Sequence, residues 1–243
     1  MRAFADGYVA VLLPAYLIAL GLGTWEVGVL ATATLLGSAL ATLAIGTWGH
    51  RFHHGRMLLG AALLMAVTGF AFAASSTFWP LLILAFVGTL NPSSGDVSVF
   101  LPLEHARIAE AAEGDARTSL FARYSLLGPL LSAFGALAAV LPEFMSAQTG
   151  VASLDALRGM FILYGCIGLL VWLLYRRLPQ AHDEVRKPPA PLGASRKTVV
   201  RLALLFSVDS FAGGLVVNAL MALWLFQRFD MSVASAGHFF YYL

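Results

Sequence analysis

Only 12% of the 243 residues carry a formal charge, while 59% are hydrophobic and the mean hydropathy is +0.80. A soluble globular chain has roughly 45–50% apolar and about 25% charged residues. So deep a deficit of charge excludes a water-soluble domain of this length and points to a chain that crosses a bilayer many times. Cysteine is as scarce: Cys166 stands alone. One thiol excludes an internal disulfide and a cysteine-built metal cage. In "MFILYGCIGLLVWLLY" it reads as a small buried side chain. A large excess of one sign is missing too, since 15 basic residues stand against 13 acidic ones and the net charge is +2. No basic surface for nucleic acid is indicated, and the pI of about 8.9 reflects residues that orient spans.

What remains is a succession of apolar runs. A bilayer core takes about 20 apolar residues per helix. By that measure spans are expected at 5–23, 26–48, 57–76, 78–103, 118–142, 158–175, 199–227 and from 233 onward. The first run has no cleavage site after it and is predicted to stay as a span rather than be removed as a leader. The stretch "RRLPQAHDEVRKPPAPLGASRK" is rich in Pro, Ala and charge and reads as a solvated connector. The organisation expected is a six-helix bundle over 1–178, a cytoplasmic linker over 179–198, and the start of a second bundle over 199–243.

Lys and Arg assign the sides. With the N-terminus, the 2–3 loop, the 4–5 loop and the linker on one face, that face holds 13 of the 15 basic residues, leaving Arg158 and Arg228 opposite. The positive-inside rule makes the basic face cytoplasmic. A multi-pass protein of the cell (inner) membrane is expected, with its N-terminus inside.

A repeat runs through the chain. "FADGYVAVLLPAYLIALGLGTWEVGVL" and "SVDSFAGGLVVNALMALWLFQRFDMSVASAGHFF" share an acid near the start, an apolar run, a short turn and a glycine-bearing second helix. The alignment pairs Asp6 with Asp209 and Gly28 with Gly237, across a gap of six residues. Both copies start on the same side, which implies parallel repeats. The closing "SVASAGHFFYYL" stops inside an apolar helix, and a fragment of a longer parent is expected.

Span number, parallel repeat and basic linker together resemble the major facilitator superfamily. Two stretches add to the likeness. "GTWGHRFHHGRM" is similar to the family's G-x-x-x-D-R-x-G-R-R loop, with Gly46, Arg51, Gly55 and Arg56 in place and His50 where the family has an acid. That acid, in the family, belongs to a charge network locking the outward-facing state. "RYSLLGPLLSAFG" resembles the G-P-x-x-G-G motif of antiporter-type efflux members, through Gly128 and Pro129. The resemblance implies an all-α polytopic membrane protein, an MFS-type helical bundle holding about seven to eight transmembrane helices of an expected 12. It also implies a cavity lined by helices 1, 4 and 7.

Charges inside spans cost roughly 2.5–3.5 kcal/mol each on insertion scales and face a bundle interior or a water-filled cavity. Here they are Asp6, Asp96, Arg123 and Asp209. Asp96 and Arg123 fall at comparable depth on consecutive antiparallel helices and are expected to pair, as a structural tie or as a proton-exchanging site. Around Asp96 the run "NPSSGD" breaks the fourth span, so Asn91, Ser93 and Ser94 join the candidate substrate or proton pathway. A plain kink with self-satisfied serines is the competing reading. Tyr8, Tyr16, Tyr124, Phe211 and Trp224 are candidate path-lining aromatics. His50, His53 and His54 have no carboxylate or Cys beside them, and a basic interfacial loop is expected there rather than a metal site.

The function expected is secondary active transport of a small solute by alternating access, coupled to protons and directed outward, with the bilayer as surroundings and no cofactor. Two other classes stand beside it. One is a transport-inactive receptor or assembly protein. The other is a membrane-embedded enzyme, since "SSGD" resembles the G-x-G-D of intramembrane aspartyl proteases, with Ser93 in place of its first glycine. No partner acid motif accompanies it.

Overall fold

The computed structural model describes residues 1–49, 52–93, 98–177, 193–214 and 216–242. These form eleven α-helices and one short 3-10 turn, with no strand among the described residues. They are α1 (Arg2–Ala19), α2 (Thr24–Trp48), α3 (His54–Ala74), α4 (Phe78–Val87), α5 (Phe100–Ala111), α6 (Gly114–Ala138), α7 (Leu141–Thr149), α8 (Ser153–Arg177), α9 (Arg196–Gly214), α10 (Asn218–Phe229) and α11 (Val233–Tyr242). Five helical stretches, α1, α2, α3, α6 with α7, and α8, are long and apolar enough to cross a membrane.

The first, second, third, fifth and sixth expected spans correspond to these five. The fourth and seventh differ from expectation, because each is two helices. The segment expected as one span over 78–103 ends one helix at Val87 and starts another at Phe100. The segment expected over 199–227 ends one helix at Gly214 and starts another at Asn218. Hydropathy counts apolar side chains and is blind to backbone continuity. In the fourth span Pro92 removes a donor and obstructs the preceding turn. In the seventh, a Gly pair is followed by β-branched Val216 and Val217, which weakens the helix at that point. The α4 and α10 segments have 10 and 12 residues. At 1.5 Å per residue they reach about 15–18 Å, near half of a 30 Å hydrocarbon core, so both breaks fall at mid-depth.

The core is organised on α1, which is buried along nearly its whole length. Tyr16, Phe161 and Phe72 stack through its centre, with ring centroids 4.6 and 5.6 Å apart. Burying such rings contributes beyond area alone, about 0.5–1.5 kcal/mol per pair. Helices approach through small residues, as is usual where lipid supplies no hydrophobic drive for association. A methyl group added at Gly7 would overlap the Ser132 carbonyl, and one at Gly135 would overlap that of Phe4. Those two glycines set the α1–α6 spacing. The α1–α2 turn closes on Gly21, whose φ of +83° lets the Leu22 N–H return to the Leu17 carbonyl at 3.1 Å.

Outer faces are apolar and exposed, as on Leu40, Leu43, Ile83, Leu126 and Leu173, which suits contact with lipid tails. Helix α11 docks on the first bundle, where Glu143 of α7 accepts its leading N–H from Val233 at 2.7 Å. Helix α9 is different: its residues 196–212 are exposed throughout.

Candidate functional site

Two polar assemblies interrupt the apolar interior. The first lies at the Arg2 end of the bundle. Arg2 reaches inward from the first turn of α1. Its Nη1 donates to Asp6 Oδ2 at 3.0 Å and to Ser98 Oγ at 3.3 Å. Its Nη2 donates to Glu104 Oε2 at 3.1 Å and to the Tyr124 hydroxyl at 3.5 Å. The guanidinium also lies over the Phe100 ring, 5.0 Å from its centroid. Tyr124 donates to Glu104 Oε2, and Tyr175 donates to Oε1 at 2.6 Å. Ser98 serves twice, since its Oγ also accepts the Phe100 N–H at 3.2 Å and so starts α5.

Four helices therefore converge on one carboxylate. Burial pushes the Glu104 carboxyl up, but the adjacent Arg2 charge and the two tyrosine hydroxyls outweigh it and hold it below the usual carboxylate range. Arg2 and Asp6 sit at i and i+4 on one face of α1, a spacing that brings side chains together. The cluster has one cation and two carboxylates. With all three side chains ionised, they sum to one negative charge behind protein.

The second assembly is the mid-depth break. The Thr89 carbonyl accepts from the Tyr164 hydroxyl at 3.0 Å. Asn91 Oδ1 accepts the Ser93 N–H at 3.0 Å, a local turn that replaces the helix bond Pro92 cannot make. The Pro92 carbonyl accepts the Ala219 N–H at 3.0 Å, and the Ser93 carbonyl accepts from Asn218 Nδ2 at 3.5 Å. The broken fourth span and the broken seventh thus meet and satisfy each other's backbone. Irregular backbone at this depth needs such partners. One group is left over: Asn91 is 1% exposed, and its Nδ2 has no partner among the described residues. A buried donor left unsatisfied costs about 1–3 kcal/mol.

The expected site residues fall into three sets. Asp6, Asn91 and Ser93 are drawn into these assemblies. Asp96, Ser94, His50 and Arg51 lie outside the described residues, so the expected Asp96–Arg123 pair does too; Arg123 itself is exposed on α6. Asp209 is exposed on α9, a surrounding unlike that of its repeat partner Asp6. Gly46 and Arg56 are exposed and Gly55 half-buried beside the 2–3 turn, where His54 Nδ1 lies 3.4 Å from Glu110 Oε1 of α5. Gly128 and Pro129 lie inside α6, with open space where a Cβ on Gly128 would stand.

Tyr8 and Tyr16 are not path-lining. Both are fully buried, and their hydroxyls bond backbone carbonyls, Tyr16 those of Phe72 and Ser75 at the end of α3. Tyr124 does stand at a polar site. Arg2, Glu104 and Tyr175 are not among the residues the sequence singles out. The i, i+4 spacing of Arg2 and Asp6 was the available signal. No group of three or more His, Cys, Asp or Glu side chains suited to a metal occurs among the described residues.

The chain is 24% identical over 276 aligned positions to the "Uncharacterized membrane protein YJR124C" of Saccharomyces cerevisiae. That alignment covers 99% of the chain and 62% of the yeast protein, so the chain spans under two thirds of that relative's length. The family model described as Major Facilitator Superfamily matches residues 1–243. With broken and unbroken membrane helices gathered round a buried charge cluster, and that match along its whole length, the chain belongs to the major facilitator superfamily.

Proposed function

We propose that the chain is the first bundle, with the opening helices of a second, of a secondary active transporter that moves a small solute by alternating access. Solute movement is coupled to protons and runs outward, across a cell (inner) membrane with the N-terminus cytoplasmic. Family membership supports transport rather than enzymatic chemistry. The basic residues gathered at one end support the orientation. The likeness of Gly128 and Pro129 to the antiporter motif supports the direction.

The observation that carries proton coupling is the buried cluster of one guanidinium and two carboxylates. Its excess negative charge is removed by one proton. Glu104 has three donors, from Arg2, Tyr124 and Tyr175, whereas Asp6 accepts from Arg2, so the proton goes to Asp6. Protonation dissolves the Arg2–Asp6 ion pair and leaves Arg2 held by Glu104. The tie within α1 is then lost while the one between α1 and α5 stays, a difference between two states of the kind that alternating access uses. Asn91 and Ser93, with Ser94 and Asp96 of the same interruption, belong to the solute side of the pathway. Asp209 and Arg123 belong to the faces that open to water.

Flux in proteoliposomes holding the intact protein tests this reading. A pH gradient should drive flux of at least one solute from a broad panel, and Asp6→Asn should abolish the response to the gradient while leaving solute exchange. Undiminished pH-driven flux in Asp6→Asn would sink the assignment.

A further inference from the structure

The described part of the second bundle meets the first over only part of its depth. Helices α10 and α11 lie against α1, α2, α6 and α7, and the Pro92–Ala219 bond joins the bundles at mid-depth. Toward the Arg2 end they stand apart. Residues 196–212 of α9 are exposed, as are Leu120, Arg123 and Leu126 of α6. The Arg2 cluster does not close that gap, because its helices α1, α5, α6 and α8 all belong to the first bundle.

At the opposite end the seam is close. Glu143 of α7 accepts the Val233 N–H at 2.7 Å, one of the leading donors of α11 that its own turns cannot satisfy. Ser232 Oγ accepts another, the Ser235 N–H, at 3.1 Å. The first bundle thus supplies half of the cap of a second-bundle helix. A carboxylate suits this place, since the amino end of a helix is its positive pole. One turn on, a Cβ at Gly237 would overlap the Ala136 carbonyl of α6, and the neighbouring Ala139 is fully buried. The rim itself is exposed at Ser232 and Ser235, so water can take over the Val233 N–H once α11 lifts.

The geometry points to Glu143 as the latch of this seam, the outer one in the orientation proposed above. Its carboxylate holds the protein closed on that side, and its release lets α11 part from α6 about the mid-depth junction. The inference rests on the transporter reading for what the motion serves, and it names the residue that gates opening to the outside.

Labelling in right-side-out vesicles that hold the intact protein tests it. In a Cys166→Ser background, Ala139→Cys reports the seam. Ala62→Cys, equally buried but on α3, reports general loosening of the first bundle. Reaction with a membrane-impermeant maleimide is timed without solute or gradient. Adding Glu143→Ala should speed labelling at 139 about fivefold, the shift that loss of an ordinary helix cap produces, and leave 62 unchanged. Glu143→Gln keeps an acceptor oxygen at the same reach and should return most of the protection. Spin labels at Phe144→Cys and Ser235→Cys, both exposed, stand on either side of the seam and cover the case in which the 139 thiol disturbs it. Glu143→Ala should add a longer distance between them. Unchanged labelling and an unchanged distance would refute the latch. So would equal gains at 139 and 62, which mark a carboxylate that only stabilises the fold. Either result would leave proton-driven transport through Asp6 standing. A seam that opens in Glu143→Ala, in a protein that moves no solute, would uphold the latch and remove the transport reading.

Discussion

Arg2 pairs with two carboxylates on different helices, and its loss has a defined consequence. In Arg2→Gln, Asp6 and Glu104 face each other with no cation between them. Breaking a buried pair costs about 3–5 kcal/mol. The unfolding temperature in detergent should fall steeply, and most of the loss should return in the double variant Arg2→Gln with Asp6→Asn. A double-mutant cycle measures that coupling; simple additivity would show that the side chains do not act as one cluster. Glu104 makes a second prediction, with its sign set by its low folded-state value. A carboxylate more acidic folded than unfolded adds stability that is full above its unfolded value and is lost as pH falls through the folded one. Acid should therefore destabilise the wild type more than Glu104→Gln, read as melting temperature from pH 7 downward; parallel curves would contradict it. These residues show how much of a site a sequence displays. Asp6 stood out because an acid in an apolar run is conspicuous. Glu104 sits one residue past the expected end of its span, where an acid looks ordinary, and only the folding of α5 against α6 and α8 makes it central.

Among the elements, helix contacts divide the glycines into two kinds. Gly7 and Gly135 lie where another backbone fills the space of a Cβ, whereas Gly28 and Gly60 meet nothing within 4 Å. Gly7→Val and Gly135→Val should therefore separate α1 from α6 and give aggregated or unstable protein on size-exclusion chromatography. Gly28→Ala and Gly60→Ala should elute as the wild type does. Equal behaviour of the two pairs would refute the close-packed α1–α6 seam. The unbroken spans were legible because their apolar runs match the bilayer thickness. In the fourth span Pro92 and the polar run around it did signal trouble, yet a kink and a full interruption share that signature. The seventh span gave less warning, since a Gly pair also occurs in intact membrane helices. That the two breaks meet is a property of three-dimensional pairing, carried by the Pro92–Ala219 bond, and no local pattern encodes it.

On the scale of the whole molecule, the ends of the bundle differ in charge and in architecture. Single cysteines in a Cys166→Ser background test the orientation proposed from that asymmetry. Arg56→Cys and Trp25→Cys stand on exposed residues at opposite ends. A membrane-impermeant maleimide should label Arg56→Cys only in inverted vesicles and Trp25→Cys only in right-side-out cells; the opposite pattern would reverse the topology. The Arg2 cluster also bears on how the protein is made. Arg2 and Asp6 are among the first residues synthesised, but Tyr175, which completes the shell of Glu104, follows Arg2 by 173 positions. At about 5–20 residues per second, the ribosome needs roughly 10–35 s to bridge that interval. Until Ser98 and Glu104 have been made, α1 has only its own i, i+4 ion pair to shelter its charges, and until Tyr175 follows the shell of Glu104 is incomplete. The final seating of α1 between α6 and α8 is thus a late, post-insertion event, and nascent chains arrested before α8 should still expose α1 to protease or to membrane chaperones.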